Sequence, residues 1–220
     1  MRVLETTELY RFFHAGDDEV VALRGISLTL DAGEFVALRG PSGSGKSTLL
    51  SCLAGIDEPD GGVVSVQGER MTRRPEAERA RLRARHFGML MQSGSLFPHL
   101  PVRANIRLQM EISGRGRPGE IDSLLGGLGL EGLADVLPAC LSGGEVARAG
   151  LAVALAARPS ILLCDEPTAE VDAATEQLVV DRLIETCLGG SAVLIVTHSP
   201  ALAARAARII DIRDGGIARG

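Results

Sequence analysis

Apolar and polar positions change rhythm several times along this chain of 220 residues. The opening third reads as strands and turns. Residues 20–23, 26–30 and 35–38 form short β-type runs, broken at Gly25 and at Asp31-Ala32-Gly33. A helix over 48–54 follows Gly45, and 63–66 alternates like a further strand. Residues 75–85 predict a charged helix, with Arg79, Arg81, Arg83 and Arg85 set against Glu76 and Glu78, a pattern that reads first as a solvated face. Between 93 and 139, glycines at 114, 116, 119, 126 and 127 separate short amphipathic pieces such as 121–130, the texture of a small helical insert. Regular alternation then returns: helix 143–157, strand 161–164, helix 173–188, strand 192–196, helix 200–207, strand 209–212. Continuous apolar strands between helices imply a parallel sheet covered on both faces.

The 45% hydrophobic content supports a sizeable core, in one large α/β domain or two small ones. No window approaches the roughly 18 to 20 apolar residues that cross a bilayer, and Met1-Arg2-Val3-Leu4-Glu5 lacks a signal-peptide apolar region. A membrane role is therefore expected to come through a partner. The net charge of -5 argues against sequence-independent binding of nucleic acid, which needs many cations against phosphates, so no nucleic-acid partner is expected. Cys52, Cys140, Cys164 and Cys187 are widely spaced with no CxxC pair, which points to neither zinc nor a disulfide framework and suits a reducing cytoplasm. Among 23 basic residues the one lysine is Lys46.

That lysine lies in Gly40-Pro41-Ser42-Gly43-Ser44-Gly45-Lys46-Ser47, which fits the phosphate-loop pattern GxxxxGK[ST] between a β run and a helix opening at Thr48. The glycines let backbone N–H groups converge on a phosphate, and the helix start adds a favourable dipole. Lys46 is a point charge for the β and γ oxygens of ATP, and Ser47 a ligand for Mg²⁺. Further on, residues 161–164 run as an apolar strand into Asp165 and Glu166, the form of a magnesium-anchoring strand in such ATPases. Asp165 would hold the metal and Glu166 would act as the general base on water.

Up to this point kinases, GTPases and helicases all remain open. Leu141-Ser142-Gly143-Gly144-Glu145, between the phosphate loop and the acidic strand end, resembles the LSGGQ signature of the ATP-binding-cassette (ABC) superfamily. Physically it is a second anion-binding helix start, built from a hydroxyl and glycine amides. Other marks resemble the family in order: Gln92 the glutamine of the Q-loop, near Mg²⁺ or water; Asp172 the D-loop; His198 the switch histidine at the γ-phosphate. Phe13 resembles the aromatic that stacks on adenine, with Tyr10 and Phe12 as rivals. His14, His86 and His99 read as ordinary polar residues. The stretches 14–17, 24–28 and 210–216 look most like the ATPase subunits of macrolide exporters, lipoprotein-release systems, haem-efflux pumps and the cell-division complex.

The resemblance implies an L-shaped α/β nucleotide-binding domain, with an antiparallel β portion and a core over 1–92 and 158–220. A helical subdomain over 93–157 would carry the signature. It implies two copies sandwiching ATP head to tail, with each signature facing the other copy's γ-phosphate. The engine would be docked on membrane permease subunits at the inner face of the cell membrane, through a groove bordered by Leu96, Phe97 and Leu100. The chain departs from the family's usual pattern at Glu145, at Val153 where an arginine is typical, and at Glu170-Val171. A cassette acting on DNA or ribosomes usually carries a long coiled-coil or zinc insertion or a second cassette, and this chain has neither. A kinase reading leaves 141–145 unexplained.

Overall fold

A computed structural model of the chain describes every residue except 16, 17, 93, 94, 118, 170, 219 and 220, together with all side chains but those of 14–19. The departure at Glu170 therefore lies outside the described residues. Two long strands, β1 (Arg2–Ala15) and β2 (Asp18–Asp31), open the fold as an antiparallel ribbon. The expected runs 20–23 and 26–30 are one strand, because the ribbon absorbs Gly25 and Ala22 as irregularities: Leu9 pairs with Ile26 and Tyr10 with Arg24, then Arg11 with Leu23 and Phe12 with Val21. Gly25, at φ 68, supplies the left-handed conformation the first of these needs. β1 also pairs with β4 (Gly61–Val66), which carries the short β5 (Glu69–Arg70), giving the sheet order β2-β1-β4-β5.

The second sheet has the order β10-β9-β3-β8-β7-β6. Its strands are β3 (Phe35–Arg39), β6 (Phe87–Leu90), β7 (Ile161–Asp165), β8 (Ala192–Val196), β9 (Arg208–Arg213) and β10 (Gly216–Ile217). Neighbours from β6 through β9 are parallel, and β10 folds back on β9 as a hairpin. β7 and β8 are buried at every residue, as their unbroken apolar runs require. Successive residues face opposite sides. Leu163, Leu194 and Leu38 pack with Leu49, Leu53 and the ribbon, while Leu162, Cys164 and Ile195 pack with the helices of the middle segment.

The helices are α1 (Lys46–Leu53), α2 (Glu76–His86), α3 (Val102–Ser113), α4 (Glu120–Gly127), α5 (Gly143–Ala156), α6 (Ala173–Leu188) and α7 (Pro200–Ala203). Beyond shifts of one to three residues at the ends of α2, α4 and α5, three helices differ from expectation. α1 begins two residues earlier, since the loop turns into it at Gly45. α3 was not anticipated as a single helix; Val102, Ile106 and Met110 form its buried stripe and Gly114, at φ 65, ends it. α7 stops early because the Ala207 amide is captured by the Phe35 carbonyl, which starts β9. His86, read as an ordinary polar residue, is buried, its Nδ1 3.2 Å from Ser160 Oγ. Burial, with Arg85 and Arg115 nearby, holds its pKa below the usual histidine value. Among the described residues no helix is long and apolar enough to cross a membrane.

Candidate nucleotide site

The loop between β3 and α1 is shaped by what glycine leaves out. A Cβ on Gly40 would lie 2.1 Å from the Ile212 carbonyl oxygen, and one on Gly45 2.3 Å from that of Ala22, the residue the ribbon skips. Gly45 also has φ 99, so it is excluded to other residues twice over. Ser44 donates its amide to Pro41 O at 3.2 Å and accepts one from Gly215 at 3.2 Å, which pins the loop to the β9–β10 hairpin. Gly43 and Ser42 remain exposed at the loop crest. Among the described residues no side chain caps α1 and no acid occupies its first turn, so the amides of Lys46, Ser47 and Thr48 stay available to an anion. Lys46 is buried and donates to the carbonyls of Gly40 at 2.9 Å and Pro41 at 2.8 Å.

Ser47 Oγ donates to Asp165 Oδ2 at 2.7 Å. A hydroxyl and a carboxylate together make a hard-oxygen donor pair that fits Mg²⁺. Glu166, one residue on, has φ 51 and is anchored by its amide to Val196 O at 3.0 Å. Its Oε2 accepts the His198 amide at 3.3 Å; its Oε1 is buried, has no hydrogen-bond partner, and lies 3.5 Å from His198 Nε2. Gln92 is exposed just past β6, where Ser95 Oγ accepts the Met91 amide and donates to the Met91 carbonyl. A cleft of about 410 Å³ has Gln92, Leu141, Gly143, Asp165 and Glu166 among its lining residues.

The signature serine heads α5. Ser142 Oγ accepts the Glu145 amide, while Glu145 Oε2 accepts both the Ser142 amide at 2.7 Å and the Ser142 hydroxyl at 2.8 Å, a complete capping box. The Ser142 amide and then its hydroxyl hold the Glu145 carboxyl below the usual glutamate range. Leu141 packs against the core, and a Cβ on Gly144 would lie 3.3 Å from Thr175 Oγ1. Asp172 caps α6, accepting from Ala174 N at 2.9 Å, Thr175 N at 3.0 Å and Thr175 Oγ1 at 2.8 Å. Its carboxylate is thus committed to its own helix start, and the starts of α5 and α6 meet at Gly144 and Thr175.

The three aromatics of β1 lie on two sides of the ribbon. Along β1 the side chains alternate: Tyr10 and Phe12 stack on one side with centroids 6.4 Å apart, and Arg11 and Phe13 lie together on the other. Arg11 pairs with Leu23, the residue whose Cδ2 approaches Gly45, so Phe13 is on the ribbon side that meets the phosphate loop.

A model of the ABC transporter family matches residues 23–169. The chain belongs to the ABC transporter family. It is an ATPase cassette of that family. It is 40% identical over 220 residues to the macrolide export ATP-binding/permease protein MacB of Shigella flexneri, covering 99% of this chain and 34% of that protein. To the probable syringafactin export ATP-binding/permease protein SyfD of Pseudomonas syringae pv. syringae (strain B728a) it is 39% identical over 218 residues, 98% of this chain and 33% of that one. The cassette thus spans about a third of the length of these curated relatives. Among solved structures it resembles the dimeric post-hydrolysis state of the ATP-binding cassette MJ0796 bound to ADP and Pi, with a TM-score of 0.92 and 30% identity over 98% of this chain and 97% of that one.

Four further side chains brace the elements around the site, of which only Arg148, in the continuation of the signature, falls within a motif. Arg39 grips Asp211 through two bonds, at 3.2 and 3.1 Å, across β3 and β9 just before the phosphate loop. Arg148 donates to the carbonyls of Leu128 and Gly129, tying α5 to the end of α4. Asn105, buried in α3, accepts the Phe97 amide at 2.7 Å and donates toward the carbonyls of Phe97, Leu100 and Pro101. Arg11 lies over the Phe13 ring.

Proposed function

We propose that the cassette binds Mg-ATP between its own phosphate loop and the signature helix of a second copy, and couples hydrolysis to a membrane permease that exports a substrate. The carrying observation is at the end of β7: Ser47 holds Asp165, while the adjacent Glu166 keeps a buried carboxylate oxygen without a partner. A buried acceptor in that state calls for a donor, and an attacking water supplies one.

In this reading Lys46 leaves the carbonyls of Gly40 and Pro41 to meet the β and γ oxygens, joined by the amides from Gly43 to Thr48. Ser47, Asp165 and Gln92 would hold Mg²⁺, which neutralises phosphate charge when bound. Glu166 takes the proton of the attacking water, and His198, beside it, faces the γ-phosphate. Phe13 stacks on adenine. Residues 141–145, with Asp172 behind them, face the nucleotide of the second copy. Residues 1–92 and 158–220 form the nucleotide lobe, and 93–157 the lobe that presents the signature.

Support for the permease comes from a groove of about 430 Å³ between α2, β6, α3 and α5, lined mainly by apolar side chains such as Met89, Met91, Phe97, Ile112 and Val153, with Arg83 and Gln109 among them. Phe97 is 61% exposed at its rim. An exposed aromatic beside an apolar groove suits the docking of an amphipathic helix. The relatives unite ATP-binding and permease parts under an export name, and this chain corresponds to about a third of their length. Docking there would hold the cassette against the cytoplasmic face of the membrane.

The test is Glu166→Gln. The amide keeps the shape but cannot accept a proton, so turnover is expected to vanish while Mg-ATP traps a dimer on size-exclusion chromatography. Retained turnover would remove Glu166 from the role of base. A variant that stays monomeric with Mg-ATP at tens of micromolar protein would remove the sandwich.

A further inference from the structure

We propose that Arg11 is a positioning residue for the nucleobase: its guanidinium backs one face of Phe13 and leaves the opposite face as the platform on which the base stacks. The proposal rests on the reading of Phe13 as the adenine platform and adds to it the group that aims the ring. Arg11 Cζ lies 4.7 Å from the Phe13 centroid, within the distance at which a cation is drawn to the electron-rich face of a ring. Phenylalanine has no hydroxyl with which to fix its own orientation. Phe13 is 40% exposed, so without a backing group its ring would have to be ordered at the moment of binding, at a cost in affinity.

Arg11 is itself held in place. Its Nη1 donates to Asp60 Oδ2 at 3.1 Å, and the same oxygen accepts the Phe12 amide at 2.8 Å. Asp60 returns its own amide to the Tyr10 carbonyl at 2.9 Å. One residue just ahead of β4 thus clasps Tyr10 through its backbone amide and Arg11 and Phe12 through its carboxylate, immediately before the platform. Burial alone would raise the Asp60 carboxyl, but the Phe12 amide and the Arg11 side chain hold it below the usual aspartate range, so the clasp is charged at neutral pH. The Arg11 side chain is only 23% exposed and its buried Nε has no hydrogen-bond partner. The group is therefore oriented by the Asp60 contact at its tip and by the ring beneath it, and not by a saturated set of bonds.

The experiment is calorimetric titration with Mg-ATP and, separately, with magnesium tripolyphosphate, which fills the phosphate loop but has no base. Four variants are compared with the parent: Arg11→Ala, Arg11→Lys, Phe13→Ala and the double Arg11→Ala/Phe13→Ala. Arg11→Ala should weaken ATP by roughly two- to fivefold, the range of a partly exposed cation–ring contact, and leave tripolyphosphate unchanged. Arg11→Lys should recover part of the loss, and the double variant should bind ATP no more weakly than Phe13→Ala alone, because Arg11 acts through the ring. If Phe13→Ala leaves ATP affinity untouched, the adenine platform is elsewhere and both readings fall. If Phe13→Ala weakens ATP but Arg11→Ala does not, the platform stands and the positioning role is overturned. Loss of both ligands in Arg11→Ala, or losses that multiply in the double variant, overturns it as well, by showing that Arg11 serves the fold or the phosphates directly.

Discussion

Replacing Asn105 with leucine tests whether the loop from Phe97 to Pro101 is a built element or a passive linker. The side chain is 2% exposed, and its carboxamide is the hub of that loop, with one accepted and three donated contacts between 2.7 and 3.2 Å. Two N–H groups shared among three carbonyls amount to about two full bonds, so with the accepted one roughly three are lost, each worth about 1 kcal/mol net. Phe97, Pro98 and His99 are exposed, which lets the freed loop groups find water and recovers part of that loss. The expected destabilisation is about 2 kcal/mol, or a fall in Tm of about 4–8 °C for a chain of this size. Differential scanning calorimetry measures it. Because the same loop carries Phe97 to the groove edge, permease-stimulated ATPase in reconstituted vesicles should fall while ATP affinity holds. Asn105→Asp keeps the acceptor for the Phe97 amide but turns three attractions into repulsions, and should melt at least as low. A melting point within about 1 °C of the parent, with unchanged stimulation, refutes the reasoning.

Three further outcomes are expected. Lys46→Ala removes the single point charge of the phosphate loop and should weaken ATP at least about tenfold by calorimetry; an unchanged dissociation constant would place the nucleotide elsewhere. Glu145→Gln preserves an acceptor for both Ser142 donors, so the ATPase rate should change less than about threefold, and a tenfold rise would show the carboxylate repelling nucleotide. The capping bonds depress the Glu145 carboxyl, so they stabilise the start of α5 above the unfolded glutamate pKa and are lost as pH falls through the lower folded value. Amide exchange at the first turn of α5 should therefore hold its protection down to about pH 5 and lose it only in more acid solution. Earlier loss would show that another group controls that turn.

Two motifs were legible because their chemistry dictates residue types at fixed spacing, a glycine loop before a helix and two acids at a strand end; 141–145 was legible as a resemblance, and its capping box was not read. α6 and β8 were read at their observed limits, since their apolar periods run without interruption. The ribbon was not, because bulges at Ala22 and Gly25 break the period of two on which strand reading depends. α3 was hidden by Arg103, Asn105, Arg107 and Gln109, which dilute a three-residue apolar stripe. Phe13 was read from its place ahead of the first strands, with Tyr10 and Phe12 as rivals, and the side of the ribbon that each ring occupies is something chain order alone does not carry. Asp172 was read for its place in the D-loop, whereas its carboxylate is engaged by the first turn of α6.

The Ala22 carbonyl abuts two glycines from distant parts of the chain, Gly45 of the phosphate loop and Gly215 of the β9–β10 hairpin. One backbone oxygen thus serves as a common stop for three segments. A residue deleted between Ala22 and β3 would shift that oxygen along the ribbon by a strand step of roughly 3.3 Å, far more than either glycine contact has to spare. The same deletion would carry Arg11 and Phe13 out of phase with the loop they face. Length variation in this ribbon is therefore expected to be forbidden between Ala22 and Phe35 even where the side chains point to solvent. A library of single-residue deletions across β2, scored for ATP binding, would map that boundary directly.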